Sequence, residues 1–257
     1  MIFDTHAHYT DNQFDIDRNE LLGSMNQNNI GLIMNAASSL DEMPKIIKLA
    51  EKYPFFYASV GIHPEAVDTI PQGYSDEIRK YARHSKIKAI GEIGLDYHWT
   101  TENKAIQQQI FGEQIDLARE LNLPVIIHDR EAHQDTLRIL KEHNVWECGG
   151  VFHCYSGSAE MVREITDELG MYIAFGGTVT FKNALKPRQA AKAVPKDRLL
   201  IETDSPYLAP TPYRGKRNSS LYLTEVINTL AEIRCVTPEE IERTTEENGR
   251  KLFNITE

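Results

Sequence analysis

Six potential metal ligands, His6, His8, Glu92, His128, His153 and Asp204, each close or follow a short strand-like apolar run. Imidazole and carboxylate donors of this kind bind divalent cations, and a bound cation activates water for hydrolysis. The runs in question are Met1–Phe3, Lys88–Gly91, Val125–Ile127, Val151–Phe152 and Leu199–Thr203. Ligands scattered over about 200 residues meet only if the fold gathers its strand ends at one point.

Each segment also has a plainer reading. His6 and His8 have period-2 spacing, so an extended backbone points both rings the same way. Asp4 is in phase with them and could orient a histidine. The pair fits equally two polar residues at a strand end. Glu92 lies in the stretch GEIGLDY, residues 91–97, where its carboxylate could bridge two cations. Two glycines there also suit a turn with a solvated glutamate, and Asp96 reads as an acceptor behind a ligand or, the favoured reading, as a turn residue. His128 and His153 stand at matching points of consecutive strand–helix units, which a core role explains poorly. Arg130 either meets an anionic substrate or caps and pairs at a helix start. Glu202 and Asp204 share one strand face, and two acids so placed repel unless a cation or a proton intervenes. Asp204 is thereby placed to ligate a cation and accept a proton from bound water.

His63, in Gly61–Pro64, could touch substrate or protonate a leaving group; the turn before Pro64 could equally order it. Arg214 and Lys216 belong to the densest basic stretch, Pro212–Asn218, and could hold phosphate. A short basic loop is also ordinary solvated surface. His84, His98, His133 and His143 have no comparable strand-end placement.

The elements that must position these residues alternate. Strand-like runs appear near Ile2, Gly31, Phe56, Lys88, Val125, Val151, Met171 and Leu199, with helix-like segments between them. Ile106, Ile110, Phe111, Leu117, Ala118 and Leu121 predict one face of a helix over 106–121. Thr237 suits an N-cap, Pro238 the first turn and Glu240 the reciprocal capping position. Residues 158–169 and 221–233 also read as helices. Eight strands alternating with helices predict an α/β fold, a TIM (β/α)8 barrel forming a single domain over residues 1–257. An open doubly wound sheet gathers few strands at its switch point. Here the candidates follow the first, fourth, fifth, sixth and eighth runs, so a closed ring with its site at the C-terminal strand ends is favoured.

Bulk properties narrow the rest. No apolar run approaches the roughly 18–20 residues of a membrane span. The N-terminal residues lack the basic and apolar segments of a secretion signal. Three scattered cysteines, Cys148, Cys154 and Cys235, fit reduced thiols in a cytoplasmic protein rather than a disulfide framework. A net charge of −10 argues against a wide basic nucleic-acid face. It does not exclude a nucleic-acid substrate, because bound cations and a few arginines offset the local field.

Taken together, DTHAH (4–8), GIHP (61–64), GEIGLDY (91–97), IHDREA (127–132), FHCYSGS (152–158) and ETDSPYLAP with RGKRN (202–218) resemble the TatD family of metal-dependent deoxyribonucleases. The resemblance implies a two-metal TIM barrel. His6, His8, Glu92 and Asp204 would hold one cation, and Glu92, His128 and His153 the second. His63, Glu202 and Asn218 match family positions near the site. Where the family commonly has an acidic residue and a proline after the asparagine, this chain has Ser219 and Ser220. Related hydrolases that bridge their ions with a carbamylated lysine are disfavoured, because Lys86 and Lys88 precede the strand end. The expected activity is hydrolysis of DNA, from single strands or strand ends. Asp204, Glu92, Glu202 and His63 are the catalytic candidates, and Arg130, Arg214, Lys216 and Asn218 the substrate contacts. An ester or amide hydrolase, such as an aminoacyl-tRNA deacylase, is the alternative. Histidine-rich coordination suits Zn²⁺ or Mn²⁺, while the resemblance implies that Mg²⁺ or Mn²⁺ supports activity. Nothing in the chain demands more than a monomer.

Overall fold

The apolar runs are rich in Val, Ile and Phe, which fit a sheet covered on both faces. In a computed structural model, which describes residues 1–256, all eight form strands. They are β1 (Ile2–Ala7), β2 (Ile30–Asn35), β3 (Phe56–Val60), β4 (Ile87–Asp96), β5 (Val125–Arg130), β6 (Gly150–Phe152), β7 (Tyr172–Phe175) and β8 (Leu199–Ile201). Neighbours pair in parallel in chain order. The ring closes just beyond β8. There Ala7 pairs with Ser205, the Asp204 amide donates to the His6 carbonyl at 2.9 Å, and the His8 amide donates to Ser205 at 2.7 Å. The expected TIM barrel is therefore the fold, and its closing seam lies among the candidate ligands.

Nine helices among the described residues pack around or beside the ring. They are α1 (Arg18–Gly23), α2 (Met43–Lys52), α3 (Tyr74–Ala82), α4 (Lys104–Leu121), α5 (His133–Glu142), α6 (Ala159–Arg163), α7 (Leu185–Ala193), α8 (Leu223–Arg234) and α9 (Pro238–Leu252). None is long and apolar enough to cross a membrane. Three details differ from the sequence reading. Ile106 is 38 % exposed, and Gln107 is buried in that turn instead. The segment after α6 widens into a π-helical turn, Glu164–Glu168. Thr237 does cap α9, accepting from the Glu240 amide at 3.2 Å, but the Glu240 carboxylate turns to Lys196 at 2.5 Å.

The core has two layers. Outward-facing strand residues such as Ile33, Phe56, Ile90 and Ile173 meet the helices. The lumen is filled by Phe3, Leu32, Met34, Ala89, Ile126, Val151, Tyr172, Ala174 and Leu200. Phe253 and Ile255, following α9, join this inner cluster, and the Phe253 ring lies 5.9 Å from that of Phe3. Each large apolar side chain buried in this way contributes roughly 1.5–3 kcal/mol. The filled lumen leaves only the opposite rim free to carry a site.

Two bulges aim the ligands. On a regular strand Phe3 and Ala7 would share a face. Phe3 is in the lumen and Ala7 in the outer layer, because the register slips between Asp4 and Ala7. The slip takes Asp4 out of phase with His6 and His8. On β4, Ile90 and Ile93 both face outward across a second slip. Glu92 therefore sits inside a continuing strand, not in the expected turn. A bulge re-aims side chains in this way.

Glycine is required at two places on β4. A Cβ on Gly91 would lie 2.6 Å from the Ile126 Cβ. At Gly94, where φ is +144°, it would lie 1.9 Å from the His128 carbonyl oxygen. Gly94→Ala is expected to force β4 from β5 at the candidate ligand His128 and to lower unfolding free energy by about 2–4 kcal/mol. Chemical denaturation checks this; a parent-like midpoint and slope would contradict the close approach.

Candidate metal centre

Four donor atoms converge on one side of Glu92. His6 Nε2 lies 3.0 Å from His8 Nε2, 3.2 Å from Glu92 Oε2 and 3.7 Å from Asp204 Oδ1. His8 Nε2 lies 3.5 Å from Glu92 Oε2 and 3.4 Å from Asp204 Oδ1. Ligands about 2.1 Å from a tetrahedral ion sit about 3.4 Å apart, so the set has the dimensions of a coordination shell.

A second set faces the other carboxylate oxygen. Glu92 Oε1 is 2.7 Å from His128 Nδ1, 2.9 Å from His153 Nε2 and 3.4 Å from His63 Nε2. The two ligand-side nitrogens of His128 and His153 are 3.3 Å apart.

Proton positions show what these nitrogens offer. His8 Nδ1–H donates to the Ala36 carbonyl at 3.1 Å, so a neutral ring presents the Nε2 lone pair to the centre. His128 Nε2–H donates to Asp96 at 2.9 Å, so once the ring is neutral its Nδ1 lone pair faces Glu92. Lone pairs and carboxylate oxygens this close repel one another without a cation. A divalent cation fits the donor set, and the remote hydrogen bonds orient the rings as metal ligands require. His63 is wired the other way. Its Nδ1 accepts from the Glu65 amide at 3.2 Å, so the neutral ring carries its proton on Nε2, toward the centre.

Helix α4 fixes the loops that carry these groups. Gln107 bonds both the amide and the carbonyl of Asp96, at 2.9 and 3.0 Å. Gln114 does the same for Ile62, next to His63, at 2.8 and 3.1 Å. Asp96, read from sequence as a turn residue, is thus the partner of His128. Asp4 does not orient a histidine ring. Its oxygens accept from the Thr203 amide and hydroxyl at 2.9 and 2.7 Å and from the Ser220 hydroxyl at 2.6 Å, which ties β1 to the segment after β8. Burial pushes the Asp4 carboxyl up to about 7, with the Ser220 and Thr203 bonds opposing.

Burial disfavours charge throughout the centre, and mutual attraction overrides it. Glu92 stays well below the ordinary glutamate range because the imidazoles of His153, His63 and His6 and the His128 bond outweigh its desolvation. Asp204 is lowered in the same way, chiefly by His8 and His153. Burial lowers His6, with His153 adding to the effect. For His128 the Asp96 and Glu92 bonds outweigh burial and raise the ring to about 9. Glu92 and Glu202 likewise hold His153 well above the usual histidine value against burial.

The centre forms the floor of a cavity of about 620 Å³, whose walls include His63, Arg130, Trp99 and Tyr207. The structure thus brings together all six ligand candidates with His63 and Arg130. Glu202 stands behind them. It is fully buried, 3.5 Å from His153 Nδ1, and accepts the Cys154 amide, so it supports ligands rather than facing the cavity. Arg214 and Lys216 line a neighbouring depression. Asn218 does not face substrate. Its amide donates to the Thr203 and Tyr207 carbonyls at 2.8 and 2.7 Å and accepts from Ser219, which anchors the loop after β8. Sequence reasoning missed Trp99, 66 % exposed beneath the Arg130 guanidinium at 5.2 Å, and Tyr207 and Leu208, which line the same cavity. An aromatic in the polar loop DYHWTT was the available signal.

A parallel barrel with a buried histidine–carboxylate centre at its C-terminal rim defines a metal-dependent hydrolase. The chain belongs to the TatD family: the family model described as "TatD related DNase" matches residues 3–254. It is 44% identical over 257 residues to the uncharacterized metal-dependent hydrolase YabD of Bacillus subtilis, covering 99% of this chain and 100% of that one. It is 33% identical over 258 residues to the 3'-5' ssDNA/RNA exonuclease TatD of Cronobacter sakazakii, covering 98% and 97%. Among solved structures, the TatD homologue YJJV of Escherichia coli K12 superposes with a TM-score of 0.91 at 31% identity, covering 99% of this chain and 98% of that one.

The raised histidines give a pH signature. Below about pH 9 the chelator-treated protein keeps a proton on His128, and a cation taking Nδ1 must release it. His153, also raised, adds a second. Affinity for Mn²⁺ or Zn²⁺ is therefore expected to rise with pH from 6 to about 9, by as much as about a hundredfold per unit if both protons leave. Calorimetric titration in buffers of different ionisation heat checks the release; binding that liberates no proton at pH 7 would contradict it.

Proposed function

We propose that the protein is a nuclease that hydrolyses phosphodiester bonds of DNA at the end of a single strand. The observation that carries this reading is the division of one carboxylate, Glu92, between two imidazole sets. Two divalent cations, one held by His6, His8, Glu92 and Asp204 and one by Glu92, His128 and His153, would supply an acidified water and offset charge on the attacked phosphate. Zn²⁺, Mn²⁺ and Mg²⁺ are the candidates.

The chain's own groups divide the remaining work. Asp204, held ionised by His8 and His153 against its burial, accepts the proton of the attacking water. His63 presents Nε2–H toward the same floor and donates it to the leaving oxygen. Arg130 engages a phosphate oxygen, and Trp99 beside it offers a face to a base. Glu202 positions His153. The Glu92 side chain is only 4% exposed at the cavity floor, which favours a strand end over a duplex. The Cronobacter relative's name, a 3'-5' exonuclease of single-stranded DNA and RNA, agrees with this class of substrate.

Asp204→Asn and Glu92→Ala are each expected to lower metal-dependent hydrolysis of single-stranded DNA by about 10³-fold or more while the protein stays folded. Full residual activity in both would overturn the assignment. Measuring aminoacyl esters and small esters in parallel separates a nuclease from a carboxyl-ester hydrolase. His63→Ala is expected to lower kcat by about 10²–10⁴-fold with metal content unchanged. The loss should shrink on p-nitrophenyl phosphodiesters, whose leaving group needs no proton. An equal loss on both substrates would contradict the donor role.

A further inference from the structure

The metal cavity is the first of three joined depressions. It shares Tyr207 and Leu208 with a second, of about 460 Å³. The second shares Phe181 and Arg214 with a third, of about 580 Å³. Charge changes along this path. Glu42, Glu65, Glu92, Asp96 and Asp204 line the first depression. No carboxylate lines the other two, which carry Arg214, Lys216 and Arg217 and then Lys182 and Lys186. Arg217 is paired with Asp17 at 2.5 Å. Among the described residues Lys182, Lys186, Arg214 and Lys216 form no ion pair, so no neighbouring carboxylate neutralises them.

The path lies on connected structure. The Thr211 amide donates to Thr180 at 2.8 Å and joins the loop after β8 to the loop after β7. Tyr213 stacks on Tyr222, with ring centroids 4.0 Å apart. The Arg214 guanidinium lies over the Phe181 ring at 4.0 Å. Beyond it Leu185, 72 % exposed, stands between Lys182 and Lys186. Cations alternating with apolar and aromatic faces suit one polymer in particular, a single nucleic-acid strand with anionic backbone and flat bases. On a chain of net charge −10, a cationic strip lined by no carboxylate, with Arg217 alone of its cations paired, has no general electrostatic cause.

We infer that a single-stranded nucleic acid runs from the metal centre over Tyr207 and Leu208 to this strip, where Arg214, Lys182 and Lys186 hold backbone phosphates several nucleotides from the bond being cut. The inference rests on the nuclease reading and extends it to a remote binding site. It makes substrate length a determinant of affinity.

The test compares the parent with the double variant Lys182→Ala/Lys186→Ala, both loaded with Mn²⁺, on oligothymidylates of two and twelve nucleotides at several KCl concentrations. The variant is expected to raise KM for the twelve-mer about tenfold and to flatten its log–log salt dependence by about 0.7 per lost phosphate contact. It should hydrolyse the dinucleotide as the parent does. An unchanged KM and salt slope for the twelve-mer would overturn the strip while leaving the nuclease reading intact. A parent that cleaves neither oligonucleotide but turns over carboxyl esters would overturn the nuclease reading, and the strip with it.

Discussion

The structure depends on one electrostatic constraint. Glu92 is a carboxylate nearly excluded from water, and nitrogens of His6, His8, His63, His128 and His153 all lie within 3.5 Å of its two oxygens. No neutral arrangement of lone pairs tolerates that density, so the group is stable as a set only with added positive charge. Protons would supply it in part, on His128 and His153, whose basicity the neighbouring carboxylates raise, and divalent cations would supply it better. Much of the surrounding architecture holds these groups in place against their own repulsion. The bulges on β1 and β4 turn His6, His8 and Glu92 toward the axis, the glycines let β5 close in, and Asp96 and Ala36 fix ring orientation.

Support for the site is distributed unevenly. The floor is built on strands and buttressed by buried groups, including Asp4, Glu202 and the two glutamine clamps of α4. The walls come from loops and the end of β5, and there Trp99, Arg130 and Tyr207 are exposed. This division lets one hydrolytic floor serve different substrates, because the loops and not the strands determine what reaches it. On the proposed function, Trp99, Arg130, Tyr207 and the strip beyond Phe181 are the residues that would set this chain's own specificity.

Much of this was legible in the sequence, for physical reasons that can be stated. Strands buried on both faces read as continuous Val and Ile runs, and strand-end histidines stand out against them. The barrel and the four histidine candidates followed from that contrast, while Glu92 gained its place from the ordered set of segments. Three kinds of residue escaped it. A bulge inverts the alternation that pattern reading relies on, so Asp4 was placed in phase with the histidines and Glu92 in a turn. Backbone clamps such as Gln107 and Gln114 look like helix surface, because nothing in their spacing says that they are buried. Asn218 and Glu202 sit in segments rich in polar residues, and only the packing shows that both face inward. Trp99 illustrates the opposite limit: an exposed aromatic gains meaning only when the cavity beside it is seen.

The central claim is that Glu92 joins two cation sites. Anomalous diffraction from crystals grown with Mn²⁺ tests it most directly. The account predicts two peaks per chain, one within bonding distance of His6, His8 and Asp204, the other of His128 and His153, each touched by a different Glu92 oxygen. A single peak, or two of which Glu92 contacts only one, would contradict it.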